Sequence, residues 1–466
     1  MASVRIFRHY IRLPFLILLV VELIVFLAAI YVGAEIRFSG DADVIERSVG
    51  GVINKAMIFS FVMIASMGAM GLYKPHLREG LSGNFLRISA SFFIGSIALT
   101  LIFYLFPFTF LGRGVLAIAN GISFVIVVIV RVLFIRHGEN SLKRNIIILG
   151  SGDKAQEILN SLRREADRKS FNLIGFIHIR GEKDVVSVNH IINLNSSLLN
   201  FSLKNNIDEI VIAVDDRRKS FPLHELLDCR MSGIDVIEVL TFFEREMGKI
   251  RVDLLHPSWL VFSDGFQESV YRDYVKRFVD ISASAILLFL TWPIMLITIV
   301  AIYIESNFKG PFLYSQIRIG ENGKPFAVLK FRSMSVNAEK DGGAQWAQKN
   351  DSRVTKVGSF IRKVRIDELP QIFNVFKGDM SFVGPRPERP EFVVMLNDAI
   401  PYFEERHRVK PGITGWAQLC YPYGASEKDS LEKLQYDLYY VKNHSTILDF
   451  LVLVQTAEVI LFGKGR

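Results

Sequence analysis

Two adjacent carboxylates, Asp367 and Glu368, sit in the run Arg362-Lys363-Val364-Arg365-Ile366-Asp367-Glu368-Leu369-Pro370-Gln371, and Gly384-Pro385-Arg386-Pro387-Glu388 follows within 20 residues. An Asp-Glu pair is ordinarily a solvated helix face. Here Pro370 removes a backbone donor and crowds the preceding turn, so a helix through 362–376 is predicted to kink beside the acids. An acid pair can hold a divalent cation or attack phosphorus, and guanidinium forks such as those of Arg362 and Arg386 hold phosphoryl oxygens. Two prolines restrain Arg386, which reduces the entropy lost when it clamps a phosphate; the same tripeptide also serves as a rigid surface turn. In 326–332, period-2 alternation puts Lys330 and Arg332 on one strand face and Leu329 and Phe331 on the other. Two such cations repel unless an anion lies over them, and a diphosphate would do; on a solvated edge they would only guard against aggregation.

The elements that must position these residues carry a second pattern. The run 365–371, with Phe376-Lys377-Gly378-Asp379-Met380-Ser381-Phe382-Val383 leading into the Pro-Arg-Pro segment, resembles the bacterial sugar transferase family, the monotopic phosphoglycosyl transferases that start lipid-linked polysaccharide assembly. Gly310-Pro311-Phe312-Leu313-Tyr314-Ser315-Gln316, Lys330-Phe331-Arg332-Ser333-Met334 and Lys410-Pro411-Gly412-Ile413-Thr414-Gly415-Trp416 extend the likeness in the expected order. The resemblance implies transfer of a sugar-1-phosphate from a nucleoside diphosphate sugar, expected to be a UDP-sugar, to polyprenyl (undecaprenyl) phosphate. UMP is released, and the step initiates exopolysaccharide, O-antigen or capsule assembly. It further implies that Asp367 is the nucleophile, forming a covalent aspartyl-phosphosugar, that Glu368 is its partner and that Arg386 is a phosphate ligand. Mg²⁺ is the expected cofactor, at Asp367 and Glu368. Lys330, Arg332 and Arg362 complete the expected substrate-binding set. Arg365 stands where the family often has Ser, a departure that bears on substrate choice.

Half of the 466 residues are hydrophobic, which is high for a soluble protein and points to a membrane. The formal charge is +8, yet no basic repeat or finger spacing appears, so anionic lipid and phosphate-bearing substrates account for it better than nucleic acid. Cys229 and Cys420 are the only cysteines, too few and too far apart for a disulfide scaffold or a zinc site.

The fold expected is a mixed membrane protein: an N-terminal domain of four transmembrane helices (1–142), an α/β Rossmann-like middle domain (143–260), and an α/β C-terminal catalytic domain (261–466) with a re-entrant helix at about 278–304. Apolar segments at about 13–35, 52–73, 88–108 and 112–135 are each long enough for a hydrocarbon core of about 30 Å. Arg5, Arg8 and Arg12 precede the first. Asp41, Asp43 and Glu46 offset Arg37 and Arg47 after it, Lys74, Arg78 and Arg87 follow the second, and Arg131, Arg136, Lys143 and Arg144 flank the exit of the fourth. This alternation puts the N-terminus and everything after 136 in the cytoplasm, giving a multi-pass protein of the bacterial inner membrane with a cytoplasmic catalytic domain. Glu22 inside the first span is read as a charge satisfied by neighbouring helices.

Strands are expected at 145–149, 173–179, 209–214 and 234–239, forming a doubly wound parallel sheet. Gly150-Ser151-Gly152-Asp153-Lys154-Ala155 opens a helix as in dinucleotide folds, but no acid ends the second strand before Glu182, so a regulatory or dimerising domain is favoured over a cofactor site. A membrane-tethered NAD-dependent nucleotide-sugar dehydratase or epimerase would want a Tyr-x-x-x-Lys pair, and 143–260 contains no tyrosine. A catalytically dead export scaffold is the other rival. The apolar run 281–304 has basic residues on both flanks, Arg272, Lys276 and Arg277 before it and Lys309 and Arg318 after it, so it is expected to turn at Pro293 and return to its own side. Trp416 and Tyr421, Tyr423, Tyr436, Tyr439 and Tyr440 suit a headgroup-level surface or a core, and the tail 446–462 reads as an interfacial helix. Expected partners are the two substrates, membrane lipid, downstream glycosyltransferases and a second copy of the chain.

Overall fold

The computed structural model describes residues 3–6, 9–39, 41, 50–73, 81–134, 136, 143–162, 171–194, 196–216, 221–263, 266, 269–335, 353–421, 424 and 426–461. Arg8, Asp43, Glu46, Arg47, Lys74, Arg78 and Tyr423 lie outside them. The chain divides into two compact units, whose main bodies are Tyr10–Met247 and Gly248–Arg466.

The first unit begins with four apolar helices, α1 (Leu13–Arg37), α2 (Val52–Ala69), α3 (Leu81–Leu105) and α4 (Arg113–Leu133). One stripe of each packs into a shared core around Phe26, Phe59, Met63, Leu99 and Val127, while Ile24, Phe61, Phe93 and Ile129 point outward. Helices apolar on the outside as well as the inside belong in lipid. Glu22 is fully buried and neutralised: Arg131 donates to both its oxygens (2.6 and 3.0 Å), and the Tyr73 hydroxyl adds a third bond of 2.6 Å. The α3 helix starts seven residues earlier than the 88 expected, because Arg87 is not a loop charge. Its guanidinium is buried and donates to the Met70 carbonyl (2.6 Å), so the helix can run through it.

The same unit continues into a five-stranded parallel sheet of β1 (Arg144–Leu149), β2 (Phe171–Ile177), β3 (Ile191–Ile192), β4 (Glu209–Ile212) and β5 (Asp235–Glu238), in the order β3-β2-β1-β4-β5. The central strand is buried along almost its whole length, as its continuous Ile-Ile-Ile-Leu run requires when helices cover both faces. The short β3 was not foreseen; two isoleucines are too few to register as a period. Arg144 bridges Glu209 and Glu246 (2.6 Å each), and Arg245 pairs with the same two acids, a buried network that ties the strand starts to the helix Val239–Met247.

In the second unit the helix α5 (Val270–Glu305) runs 36 residues with Pro293 inside it. Near its start Arg277 donates to the carbonyls of Val375 and Phe376 (2.7 Å each) and Lys276 to that of Val383 (3.0 Å). Near its end Ile302 packs with Phe331 and Ile361, and Glu305 accepts from the Val357 amide (3.1 Å). Between these anchors Ile286, Phe289, Leu290, Trp292 and Ile297 are exposed. The unit also holds an antiparallel hairpin, β6 (Leu313–Ile319) with β7 (Pro325–Phe331), and a parallel pair, β8 (Ser381–Val383) with β9 (Gly412–Thr414).

Tyr439 and Tyr440 are core residues, fully buried on the helix Glu427–Asn443. The tail helix α6 (Thr446–Leu461) puts Leu448 and Val452 into the same core, so one face of it is protein interior. Asp449, a charge within this apolar helix, bonds Lys276 and the Tyr440 hydroxyl (2.6 Å each).

Candidate active site

The predicted kink is a full break. Residues 356–363 form one helix, Ile366–Glu368 a 3₁₀ turn, and Gln371–Lys377 a second helix. The chain turns at Arg365, whose φ of 61° lies in the left-handed region that L-residues avoid. Pro370 then caps the second helix, where a missing N–H costs little. The break comes before the acids and presents them on a single tight turn.

Asp367 is 8% exposed, and its Oδ1 has no hydrogen-bond partner among the described residues. Burial first, and the neighbouring Glu368 charge second, push its pKa up to about 6. Glu368 goes the other way. Burial works against its charge, but Lys330 (Nζ to Oε1, 2.9 Å) and then Arg386 (Nη2 to Oε1, 3.8 Å) outweigh it and hold the pKa down to about 2. Arg365 reaches Oε2 at 4.0 Å. Burial lowers the Lys330 pKa, and Glu368 opposes that shift. The two acids are therefore unlike: Glu368 is a fixed anion held by cations, and Asp367 is a more basic carboxylate with one buried oxygen that has no hydrogen-bond partner among the described residues.

Of the expected cations, Lys330 and Arg386 meet at Glu368. Arg362, on the helix before the turn, is close enough for its charge to favour the ionised Asp367. Arg332 lies apart: β7 ends at Phe331, and the Arg332 guanidinium donates to the Lys309 carbonyl (3.1 Å). The paired-cation strand face is thus divided between two places.

Three residues that the sequence did not single out build the surroundings. Asn374 clamps the free edge of β7, donating to the Ala327 carbonyl (2.7 Å) and accepting from the Leu329 amide (3.0 Å), which sets Lys330 opposite Glu368. Arg406 is buried, pairs with Asp437 (2.8 Å) and donates to the Arg386 carbonyl (2.9 Å), so it braces the Pro-Arg-Pro segment from behind. Burial raises the Asp437 pKa to about 6 against the pull of Arg406. No spacing in the chain announces these roles; each residue looks like an ordinary polar group.

The glycines of the Val-Gly-Pro-Arg-Pro and Lys-Pro-Gly segments have a steric reason. A Cβ on Gly384 would stand 2.2 Å from the Lys410 carbonyl oxygen, and one on Gly412 would stand 2.1 Å from the Gly384 nitrogen. The two segments can therefore cross backbone to backbone beside Arg386. A cavity of about 540 Å³ adjoins the turn, and its lining includes Glu368, Arg386, Arg406 and Lys433 as well as Leu287, Ile372, Ile413 and Leu453.

The residues fit a magnesium ion brought in with a substrate. No group of three or more His, Cys, Asp or Glu that could hold a metal occurs among the described residues, but Mg²⁺ commonly takes one or two carboxylates together with substrate phosphates. The buried, unpartnered Asp367 Oδ1 beside the Glu368 carboxylate meets that need.

The Gly150 motif is arranged differently from a nucleotide cradle. The Asp215 carboxylate accepts from the amides of Asp153 (2.8 Å) and Lys154 (3.1 Å) at the helix start, and a Cβ on Gly152 would meet it at 1.9 Å. Glu182 accepts from the amides of Ser151 (3.0 Å) and Asp215 (2.9 Å).

Apolar helices, a parallel sheet and a C-terminal unit with a carboxylate pair beside basic side chains define a membrane protein equipped for phosphate chemistry. Residues 271–463 match the family described as bacterial sugar transferase. The chain is 44% identical over 240 residues to the UDP-N-acetylgalactosamine-undecaprenyl-phosphate N-acetylgalactosaminephosphotransferase of Aeromonas hydrophila, covering 52% of this chain and 55% of that protein. It is 31% identical over 331 residues to the undecaprenyl-phosphate glucose phosphotransferase of Komagataeibacter xylinus, covering 70% and 60%. To the UDP-glucose:undecaprenyl-phosphate glucose-1-phosphate transferase of Escherichia coli (strain K12) it is 34% identical over 332 residues, covering 69% and 68%. The chain belongs to the bacterial sugar transferase family. Its match spans little more than half the length of the first two relatives.

Proposed function

We propose that this protein transfers a sugar-1-phosphate from a nucleoside diphosphate sugar, of the UDP class, to undecaprenyl phosphate, starting the assembly of a surface polysaccharide that downstream glycosyltransferases extend. The observation that carries the reading is the inequality of the acid pair: Asp367 has an unpartnered buried oxygen and a pKa raised to about 6, beside a Glu368 already held by Lys330 and Arg386. Near pH 7 a carboxylate of that pKa is about nine-tenths ionised and more basic than an ordinary one, which suits a nucleophile. Asp367 attacks the phosphorus that bears the sugar, an aspartyl-phosphosugar forms, and the nucleoside monophosphate leaves. Polyprenyl phosphate then attacks the same phosphorus and frees the carboxylate. Splitting the transfer in this way brings one anionic substrate to the site at a time. Arg386 and Lys330 hold phosphoryl oxygens, with Arg365 and Arg362 alongside. Mg²⁺, when bound by Asp367 and Glu368, neutralises charge on the diphosphate.

Relatives named for undecaprenyl-phosphate substrates support the substrate classes. The test is purified protein with Mg²⁺, polyprenyl phosphate and a panel of UDP-sugars, with UMP as the readout. UMP and a lipid-linked phosphosugar are expected with at least one donor, and their absence with every nucleotide sugar overturns the reading.

The organisation proposed is four spanning helices, a Rossmann-like middle domain that regulates or dimerises the chain, and a catalytic domain on the cytoplasmic side of the bacterial inner membrane. The re-entrant reading of α5 is supported by the grip of one compact unit on both its ends, since a helix spanning the bilayer would deliver those ends to opposite sides. The Asp215 and Glu182 carboxylates take the amides on which a dinucleotide pyrophosphate would sit, which argues against the dehydratase or epimerase alternative.

A further inference from the structure

The Tyr314-Ser315-Gln316 end of the block 310–316 lies on β6, and the alternation of a strand puts Tyr314, Gln316 and Arg318 on one face of it. Gln316 stands opposite Val328, a core residue of the catalytic unit, while Ile317 on the other face is exposed. Tyr314 is the cross-strand partner of Lys330, so this polar row begins beside one of the two cations that hold Glu368. It ends on the segment that carries the other. Arg318 Nη1 donates to the Pro387 carbonyl (3.2 Å) and stands 3.6 Å from the Glu388 carboxylate, and the Ile319 amide donates to the Glu388 carbonyl (2.9 Å). Gln316 joins the two ends. Arg318 Nε and Nη2 both donate to its Oε1 (3.0 and 2.6 Å). A guanidinium can only donate, so these bonds fix which way the Gln316 amide lies and send its Nε2 to the Tyr314 hydroxyl (3.0 Å).

Resting on the transferase reading above, we infer that Gln316 and Arg318 are positioning residues of the transfer: they set the Arg386 guanidinium at the place where it meets phosphoryl oxygens of the donor, and they act through Arg386 alone. Arg406 holds the carbonyl of Arg386 and Arg318 that of Pro387, so two successive carbonyls of the Pro-Arg-Pro segment are fixed from two different elements. Charge works in the same direction as the bonds. Burial lowers the Arg318 pKa to about 10, Glu388 opposes the shift, and the nearby Arg386 and Arg389 charges add to it. Guanidinium groups crowded along one short segment repel, and the repulsion is relieved when Arg386 turns its head to the anion before it, Glu368 at 3.8 Å. A cation stabilises charge developing on phosphorus only if it is already in place, and a misplacement of about 1 Å costs about 100-fold in rate.

The test uses the full chain in lipid nanodiscs, with UMP release from a UDP-sugar as one readout and hydrogen exchange of the segment 381–389 as the other. Gln316→Leu removes the acceptor that orients Arg318, and Arg318→Ala removes the guanidinium itself, so the same link is loosened by two routes. Each is expected to lower kcat/KM for the donor at least about tenfold and to speed exchange in 381–389. In an Arg386→Ala background, followed by single-turnover UMP release, each should cost less than about twofold more, because changes that act through one group do not add. Gln316→Glu keeps an oxygen for Arg318 and should recover most of the activity that the Leu variant loses. The same fold-loss with and without Arg386, which a direct substrate contact or a general loosening of the fold would give, overturns the proposal. So does a kcat/KM within about twofold of wild type in both variants, or an exchange rate that neither variant changes. Wild-type protein that releases no nucleoside monophosphate from any donor overturns the transferase reading instead, while the exchange measurement still reports on the link.

Discussion

Replacing Asp367 with Asn should abolish transfer and at the same time make the protein more stable at neutral pH. Burial and Glu368 raise the Asp367 pKa from 3.8 to about 6, so the native state binds its proton more tightly than the unfolded chain does. The stability this provides is complete below about pH 4 and is lost as the pH rises through about 6. A shift of about two units corresponds to about 3 kcal/mol at most, and the amide of Asn carries a desolvation cost of its own, so a gain of about 1–2 kcal/mol is expected at pH 7.5. For a unit of this size that is a rise of about 2–4 °C in Tm per kcal/mol. The depressed Glu368 acts in a different window, since its contribution is lost only as the pH falls from about 4.5 toward 2. The assay is thermal unfolding of both proteins in one detergent at pH 7.5 and pH 4.5, with UMP release measured in parallel. The advantage of Asp367→Asn should shrink toward zero at the lower pH, and kcat/KM of the wild type should fall on an acid limb near pH 6. A variant less stable than wild type at pH 7.5, or an advantage that does not change with pH, would refute the reasoning about the buried charge. UMP release or a trapped phosphosugar with Asp367→Asn would refute the covalent route.

Lys330→Met should cost more than 100-fold in kcat/KM, because Glu368 then loses its nearest cation; a variant within about fivefold of wild type would show that Arg386 alone suffices. Asn374→Ala should destabilise the catalytic unit by about 1–3 kcal/mol, since it strands one donor and one acceptor on β7, and denaturant unfolding measures it. Cysteines at Asp273 and Lys309 should both react with an impermeant thiol reagent only from the cytoplasmic face, and periplasmic labelling of either sinks the re-entrant arrangement of α5. Titration with NAD should give no saturable heat, while Asp215→Ala should begin to admit a dinucleotide at the Gly150 motif; tight NAD binding by wild type would show that the Asp215 carboxylate yields to a ligand.

Much of this protein is legible in the chain itself. The apolar runs of the first 135 residues, the Ile-Ile-Ile-Leu strand with its Gly-x-Gly turn, and the Asp-Glu and Pro-Arg-Pro segments are all local, set by composition, period and adjacency over a few residues. The family likeness is local too, block by block. Tertiary structure decided whatever depends on a partner far along the chain. Lys330 and Arg332 alternate together on a strand in sequence, but one meets Glu368 and the other the Lys309 carbonyl, and nothing within the strand distinguishes them. Arg87 reads as a loop charge until the Met70 carbonyl accepts from it inside the bundle, and the charge of Asp449 in the apolar tail finds its partners, Lys276 and Tyr440, only in the fold. The left-handed turn at Arg365 and the unequal acidity of Asp367 and Glu368 arise from packing and Coulomb interactions at distances of 3–4 Å. Those distances exist only once strand, turn and helix have closed on one another, so adjacent carboxylates that look alike in the sequence become a held anion and a more basic, partly unpaired carboxylate in the fold.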